Sequence, residues 1–259
     1  HAITMAIGNG IGVPFTKGGG GGSSFAFSNS VYGDGVNDTL SVSSSSTCLN
    51  PFQQNDWGFN IWFKGSTAFQ YNDILFDFNS GGGQSYFQWR TGVGSGATSR
   101  YVWLVSNNRG TFSSWEMPTA DNTDWHCIGG SVEIVDASNQ KIRLYYDGAL
   151  VDTIGTANNV FTRSNTDQRL FGSAGNSPMA GWMGQTSFMD YLPTDAHFTA
   201  AYNSGSGADP RTAFTSVKQL FLFEDSAGTV TGTVTDAIGS QDLTMNNFVS
   251  PFGVVTESP

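Results

Sequence analysis

Few side chains in this sequence could carry chemistry. Only four glutamates occur: Glu116, Glu133, Glu224 and Glu257. Glycoside hydrolysis needs two carboxyl groups flanking the scissile bond, one as acid and one as nucleophile or base. Glu133 and Asp136 are three residues apart, and on a strand that spacing points them to opposite faces. Asp34, Asn37 and Asp38 form a small oxygen cluster that could hold calcium. The alternative is a polar turn closed by Asx-type backbone hydrogen bonds. The only histidines are His1, His126 and His197, and neither H-E-x-x-H nor C-x-x-C is present. His126, beside Trp125, has no obvious acidic or nucleophilic partner and reads as a strand-end histidine.

Nucleophile elbows and phosphate loops are missing too. No G-x-S-x-G occurs, and the run Gly18 to Gly22 is not followed by the lysine of a Walker motif. What remains is aromatic. Trp115, Trp182 and Tyr191 fall in turn-rich stretches where a sugar-stacking platform could form. Core or rim packing is the competing reading for a chain with seven tryptophans. No catalytic residue and no cofactor-binding residue is assigned, and the expectation is a protein that is not an enzyme.

The elements that position these residues follow from composition. The chain has 259 residues, 38% apolar and 14% aromatic, but only 12% charged. That length suits one large sandwich, or one sandwich with extra arms. Polarity comes from Gly, Ser, Thr, Asn and Asp, which favour strands joined by tight turns over helices. A net charge of −10 argues against nucleic acid and against an anionic membrane surface as partners. No apolar run approaches the roughly 18–20 residues of a membrane span. His1 to Phe15 has neither a basic n-region nor a continuous apolar h-region, so no signal peptide is read there. The missing initial Met leaves processing or an incomplete start open. Cys48 and Cys127 could pair, but free, small core residues are the preferred reading.

Along the chain, three stretches separate. Residues 1–22 are sparsely apolar and end in five consecutive glycines, the pattern of an arm and hinge outside the core. Residues 23–217 alternate with period two. Phe25 with Phe27, Leu40 with Val42, Phe59 with Ile61 and Phe63, Ile74 with Phe76 and Phe78, Phe87 with Trp89, and Val102 with Leu104 each share a face. Ile142, Leu144 and Tyr146 run into Asp147-Gly148, the strongest short hairpin signal, because both turn residues need positive φ. One helix is expected near Thr194 to Asn203, after Pro193, with Phe198 and Tyr202 spaced i,i+4 and Gly205 as its stop. Residues 218–259 alternate but are too few for their own core, so they are expected to add strands to the sandwich or to a neighbour.

Several segments resemble laminin G-like domains of the concanavalin A-like superfamily. They are Tyr32-Gly33-Asp34-Gly35-Val36-Asn37-Asp38, Asp56 to Lys64, Trp125 to Ser131, Leu144-Tyr145-Tyr146-Asp147-Gly148-Ala149-Leu150-Val151, Trp182-Met183-Gly184, and Ala201-Tyr202-Asn203-Ser204-Gly205. Together they span residues 31–205 in the family's order. The resemblance implies an all-β fold, a two-sheet antiparallel jelly-roll sandwich with one short helix and an extended N-terminal arm. Two departures stand out. Gln185 to Phe188 replace an acidic pair that could help hold calcium, and Phe221 to Asp225 follow the domain where a similar segment often precedes it. The E-x-D-x-x-E strand of related glucanases has no counterpart.

The closing arrangement is similar to laminin G-like structural proteins of tailed marine phages. That implies a non-enzymatic virion structural protein: a capsid decoration, fibre or tail component at the virion surface or outside the cell. The arm or the C-terminal segment would dock on other virion or scaffold proteins in a homo-oligomer or multi-copy assembly. The alternatives are a secreted or surface carbohydrate-binding module, with glycans as partners, and a degenerate polysaccharide-active enzyme. No cofactor is expected, calcium being the one candidate.

Overall fold

The computed structural model describes residues 29–42, 55–66, 74–79, 86–91, 100–105, 112–116, 124–136, 139–156, 167–170, 179–224, 232–239, 241–248 and 253–255. The arm expected at residues 1–22, the alternation of Phe25 with Phe27, and Cys48 lie outside them. Two antiparallel sheets pack face to face, as the alternation predicts. The first runs in the order β10 (Ala149–Thr156), β9 (Gln140–Tyr146), β8 (His126–Ile134), β3 (Trp57–Gly65), β12 (Ala180–Met189), β1 (Ser30–Asp34), β16 (Gly253–Val255), with β13 (Val217–Phe221) also beside β12. The second runs β14 (Gly232–Val234), β15 (Leu243–Asn246), β2 (Thr39–Val42), β11 (Asp167–Leu170), β4 (Ile74–Asn79), β5 (Tyr86–Thr91), β6 (Arg100–Val105), β7 (Phe112–Glu116). Residues 218–259 thus contribute to both sheets within the chain.

Phe59, Ile61, Phe63, Ile142 and Leu144 are fully buried between the sheets, and Phe59 meets Phe76 edge to face with centroids 5.1 Å apart. The aromatic geometry adds about 0.5–1.5 kcal/mol beyond area burial. Asp147 and Gly148 turn the β9–β10 hairpin at φ 49° and 76°, both in the left-handed region.

Strand β3 departs from a one-sided pattern, because Trp62 on its other face is also fully buried. The cause is α1 (Asp195–Tyr202), which lies on the outer face of the first sheet. Its Tyr202 stacks on Trp62 at 5.8 Å, and its Phe198 stacks on Tyr145 at 3.9 Å. Adjacent glycines on β8 make room on both faces: a Cβ on Gly129 would strike the Phe198 ring, and one on Gly130 would strike Phe59. Alternation in β3 cannot reveal a helix whose Tyr202 lies 140 residues downstream of Trp62.

Two expectations about helices need correction. The first helix falls within the expected Thr194 to Asn203, which are its two caps, but its stop is Asn203, in the left-handed conformation (φ 47°), and not Gly205. A second short helix, α2 (Pro210–Ala213), follows, capped by Asp209, whose carboxylate accepts the Arg211 N–H. Asp-Pro at its start was a readable signal.

Candidate functional site

On the outer face of the first sheet, beyond the reach of α1, three half-buried side chains stand in one register row. Tyr32 on β1 pairs with Trp182 on β12, which pairs in turn with Lys64 on β3. Each points outward because its neighbour points in: Val31, Met183 and Phe63 are all fully buried. The Tyr32 and Trp182 rings stack with centroids 4.4 Å apart and planes 12° from parallel. Lys64 Nζ lies over the Trp182 ring, 4.9 Å from its centroid. Such a cation contact is worth about 0.5–1 kcal/mol at an exposed site. The row is therefore a stiff ridge with aromatic edges, a phenol hydroxyl and an ammonium. One step further along, Asp34 pairs with Ala180, and Ser66 N–H donates to Ala180 O at 3.0 Å.

The structure does not bring the three expected stacking residues together. Trp182 lies on a strand, not in a turn-rich stretch. Trp115 is also on a strand, β7, where it pairs with Val102 of β6. Tyr191 alone sits in a bend. Its hydroxyl accepts the Thr215 N–H at 2.8 Å and its ring meets His197 edge to face, so it ties the helical cap to the sheet. About nine residues of extended chain, roughly 30 Å, separate it from Trp182. Sequence reasoning missed Tyr32 and Lys64 as companions of Trp182. Alternation gives their outward face, but only strand pairing supplies their adjacency.

His126 needs correction as well. It has an acidic partner, since its Nδ1 lies 2.8 Å from Asp147 Oδ2, while Asp147 Oδ1 accepts the Cys127 N–H at 2.9 Å. The pair fastens the hairpin corner to the start of β8, and the separation of 21 residues hid it. Cys127 is free and buried; burial pushes its thiol well above the usual range, and it donates to Asn60 Oδ1 at 3.0 Å. Of the two carboxylates weighed for hydrolysis, Glu133 is paired with Arg143 at 2.9 Å. Asp136 accepts both the backbone and side-chain N–H of Asn139.

Asp34 and Asp38 do meet, in the β1–β2 turn. Asp38 Oδ2 accepts the Asp34 N–H and Asp34 Oδ1 accepts the Val36 N–H, both at 2.7 Å. Asn37 O accepts from Asn247 Nδ2 at 2.9 Å. Asp38 is fully buried with Oδ1 lacking a partner, and its pKa is raised to about 6, first by burial and then by the charge of Asp34. Among the described residues no group of three or more His, Cys, Asp or Glu is placed to hold a metal ion.

No protein-family model matches the sequence, and no curated protein matches it. Solved structures do show similarity. Domain 4 of an extracellular GH43 arabinanase from Geobacillus stearothermophilus, in complex with arabinotriose, is 16% identical over 66% of this chain and 74% of its own, with TM-score 0.47. The CBM40 of the Ruminococcus gnavus IT-sialidase, bound to α2,3-sialyllactose, is 14% identical over 68% and 98%, with TM-score 0.49. The receptor-binding domain of botulinum neurotoxin type G is 11% identical over 59% and 39%, with TM-score 0.40. At these values the likeness is one of strand layout and carries nothing about ligand or role.

Proposed function

We propose that this chain is a non-catalytic carbohydrate-binding module whose ligand lies along the Tyr32–Trp182–Lys64 ridge. One observation carries the reading: a stacked aromatic pair with a cation against it, half-exposed on the outer face of the first sheet beyond α1. The exposed ring surface left by the Tyr32–Trp182 stack offers an apolar contact to a sugar, while the phenol, the ammonium and neighbouring Ser66 and Asp34 offer polar groups to ring hydroxyls. Glu133 and Asp136 are held in local pairs, which favours binding over hydrolysis.

The module stands ahead of the virion structural reading. The virion reading depends on docking by residues 1–22 or 218–259. The first lie outside the described residues, and strands of the second pair within the chain. Display outside the cell fits a module of this kind. The test is a glycan array followed by calorimetry on the positive sugars. Wild type binds, and Trp182→Ala weakens binding at least tenfold while keeping the wild-type circular dichroism spectrum. Undiminished binding by a folded Trp182→Ala protein refutes the site.

A further inference from the structure

We propose that a small cluster of bound water is built into the outer face of the first sheet, where β12 changes partner, and ties β1, β3 and β12 together. This site is separate from the Tyr32–Trp182–Lys64 ridge and needs no sugar. Strand β12 is irregular at this point. Between the pairs Met183–Phe63 and Thr186–Ile61, β12 advances three residues while β3 advances two. The extra residue makes a β-bulge, which leaves local backbone groups outside the ladder. On its other side β12 pairs with β1 over Ala180–Met183 and with β13 over Thr186–Met189. Gly184 and Gln185 therefore face the break between two strand ends.

Four polar side chains gather around this break. Thr186 pairs with the core residue Ile61, so Gln185 and Ser187 on either side of it point outward. Ser187 pairs with Asn60, which takes the same face. Ser30 precedes the inward-facing Val31, the partner of Met183, and so runs beside Gly184. All four are 0–1% exposed. Ser30 Oγ, Gln185 Oε1 and Nε2, Ser187 Oγ and Asn60 Nδ2 have no hydrogen-bond partner among the described residues. The Cys127 thiol donates to Asn60 Oδ1 at 3.0 Å, which fixes the amide so that its two N–H groups point elsewhere.

A buried donor or acceptor left unmet costs more than a typical hydrogen bond returns, so this patch calls for a ligand. Water is the one that fits. Asn60 Nδ2 and Gln185 Nε2 donate, Gln185 Oε1 accepts, and the two hydroxyls do either. The N–H groups repel a cation and Oε1 repels an anion, whereas water answers both. Residues opposed on paired strands stand roughly 4.5–5.5 Å apart at Cβ, so one water reaches both Ser187 and Asn60. Gly184 adds no side chain at the break, which leaves room. A buried water makes about three hydrogen bonds, so these groups take about two waters.

High-resolution crystals of the full chain test this directly. Waters are expected within hydrogen-bonding reach of Gln185, Ser187 and Asn60, with Ser30 completing the group. Side chains bonded to one another, a dry contact, or a metal ion in that place overturns the proposal. In solution, the sign of two substitutions gives a second measure. In a dry patch, Gln185→Met and Ser187→Ala would remove costly polar atoms and raise the urea midpoint. With water bound, the same changes take partners from the water and from Asn60, and the midpoint should fall by roughly 0.4–1 M. A rise, or a midpoint within error of wild type for both variants, overturns the proposal. Wild type alone supplies the third measure, which no folding failure can obscure. Magnetisation transfer from long-lived water to the Asn60 and Gln185 side-chain amides is expected in solution NMR, and its absence overturns the proposal.

Discussion

Replacing Asp38 by Asn should stabilise this protein at neutral pH and leave it nearly unchanged in acid. Asp38 is fully buried, and its pKa rises from 3.8 to about 6 on folding because burial and then Asp34 disfavour its charge. The folded state thus binds a proton that the unfolded chain has released. The associated stability is fully present below pH 3.8 and is lost as the pH climbs through about 6. Two pKa units at 1.36 kcal/mol each make the loss about 3 kcal/mol by pH 7.5. Asn keeps an oxygen to accept the Asp34 N–H and cannot ionise, so the variant escapes that loss. For a chain of this size the difference corresponds to a Tm gain of roughly 6–12 °C. Urea melts of both proteins at pH 4 and pH 7.5 measure it directly. A gain that is absent at pH 7.5, or equally large at pH 4, refutes the reasoning. Calcium at pH 7.5 should leave the gap open. If it closes the gap by stabilising wild type alone, Asp34 and Asp38 hold a cation and the turn is a metal site.

Two further changes test the packing. Gly129→Ala drives a methyl into the Phe198 ring beneath α1 and should cost about 1–3 kcal/mol, as overpacking does; a urea midpoint within error of wild type would show that the helix does not press on β8. At the hairpin corner, Asp147→Asn keeps a side chain that tolerates positive φ and can still accept the Cys127 N–H, so it should cost only about 1 kcal/mol. Asp147→Ala loses both and should cost at least twice as much, and equal effects would mean that the His126 contact is the whole contribution.

The sandwich was legible because its signal is local. Phe59, Ile61 and Phe63 announce a buried face by alternation alone, and Asp147-Gly148 announces its turn by backbone chemistry. Features that need two distant segments were hidden. Trp62 reads as an exposed partner of Asn60 and Lys64 until α1 covers it, and His126 reads as solitary until the hairpin returns Asp147 to it. The ridge lies in between. Trp182 was singled out for its residue type, but Tyr32 and Lys64, 150 and 118 residues earlier in the chain, become its neighbours only through the strand order β3–β12–β1. Trp115 lies on a strand for a reason that its neighbours hide: a tryptophan flanked by Ser and Glu suggests a surface turn, whereas β7 continues the second sheet.

Strand β12 serves two neighbours along one side, β1 over Ala180–Met183 and β13 over Thr186–Met189, with an irregularity between Met183 and Thr186 where the partner changes. Beyond β1 comes β16, so Ser30 pairs with Val255. On the ribosome, β1 meets β12 only after about 150 further residues, and must wait for almost the whole chain, about 220 residues, before both flanks are filled. At synthesis rates of roughly 5–20 residues per second, that is an interval of about 10–40 seconds. During it, a strand ending in Tyr32, Gly33 and Asp34 has an unmet hydrogen-bonding edge, and closure of so non-local a contact is slow by topology alone. Expression yield should therefore respond to translation speed and to chaperone supply more strongly than equilibrium stability would suggest.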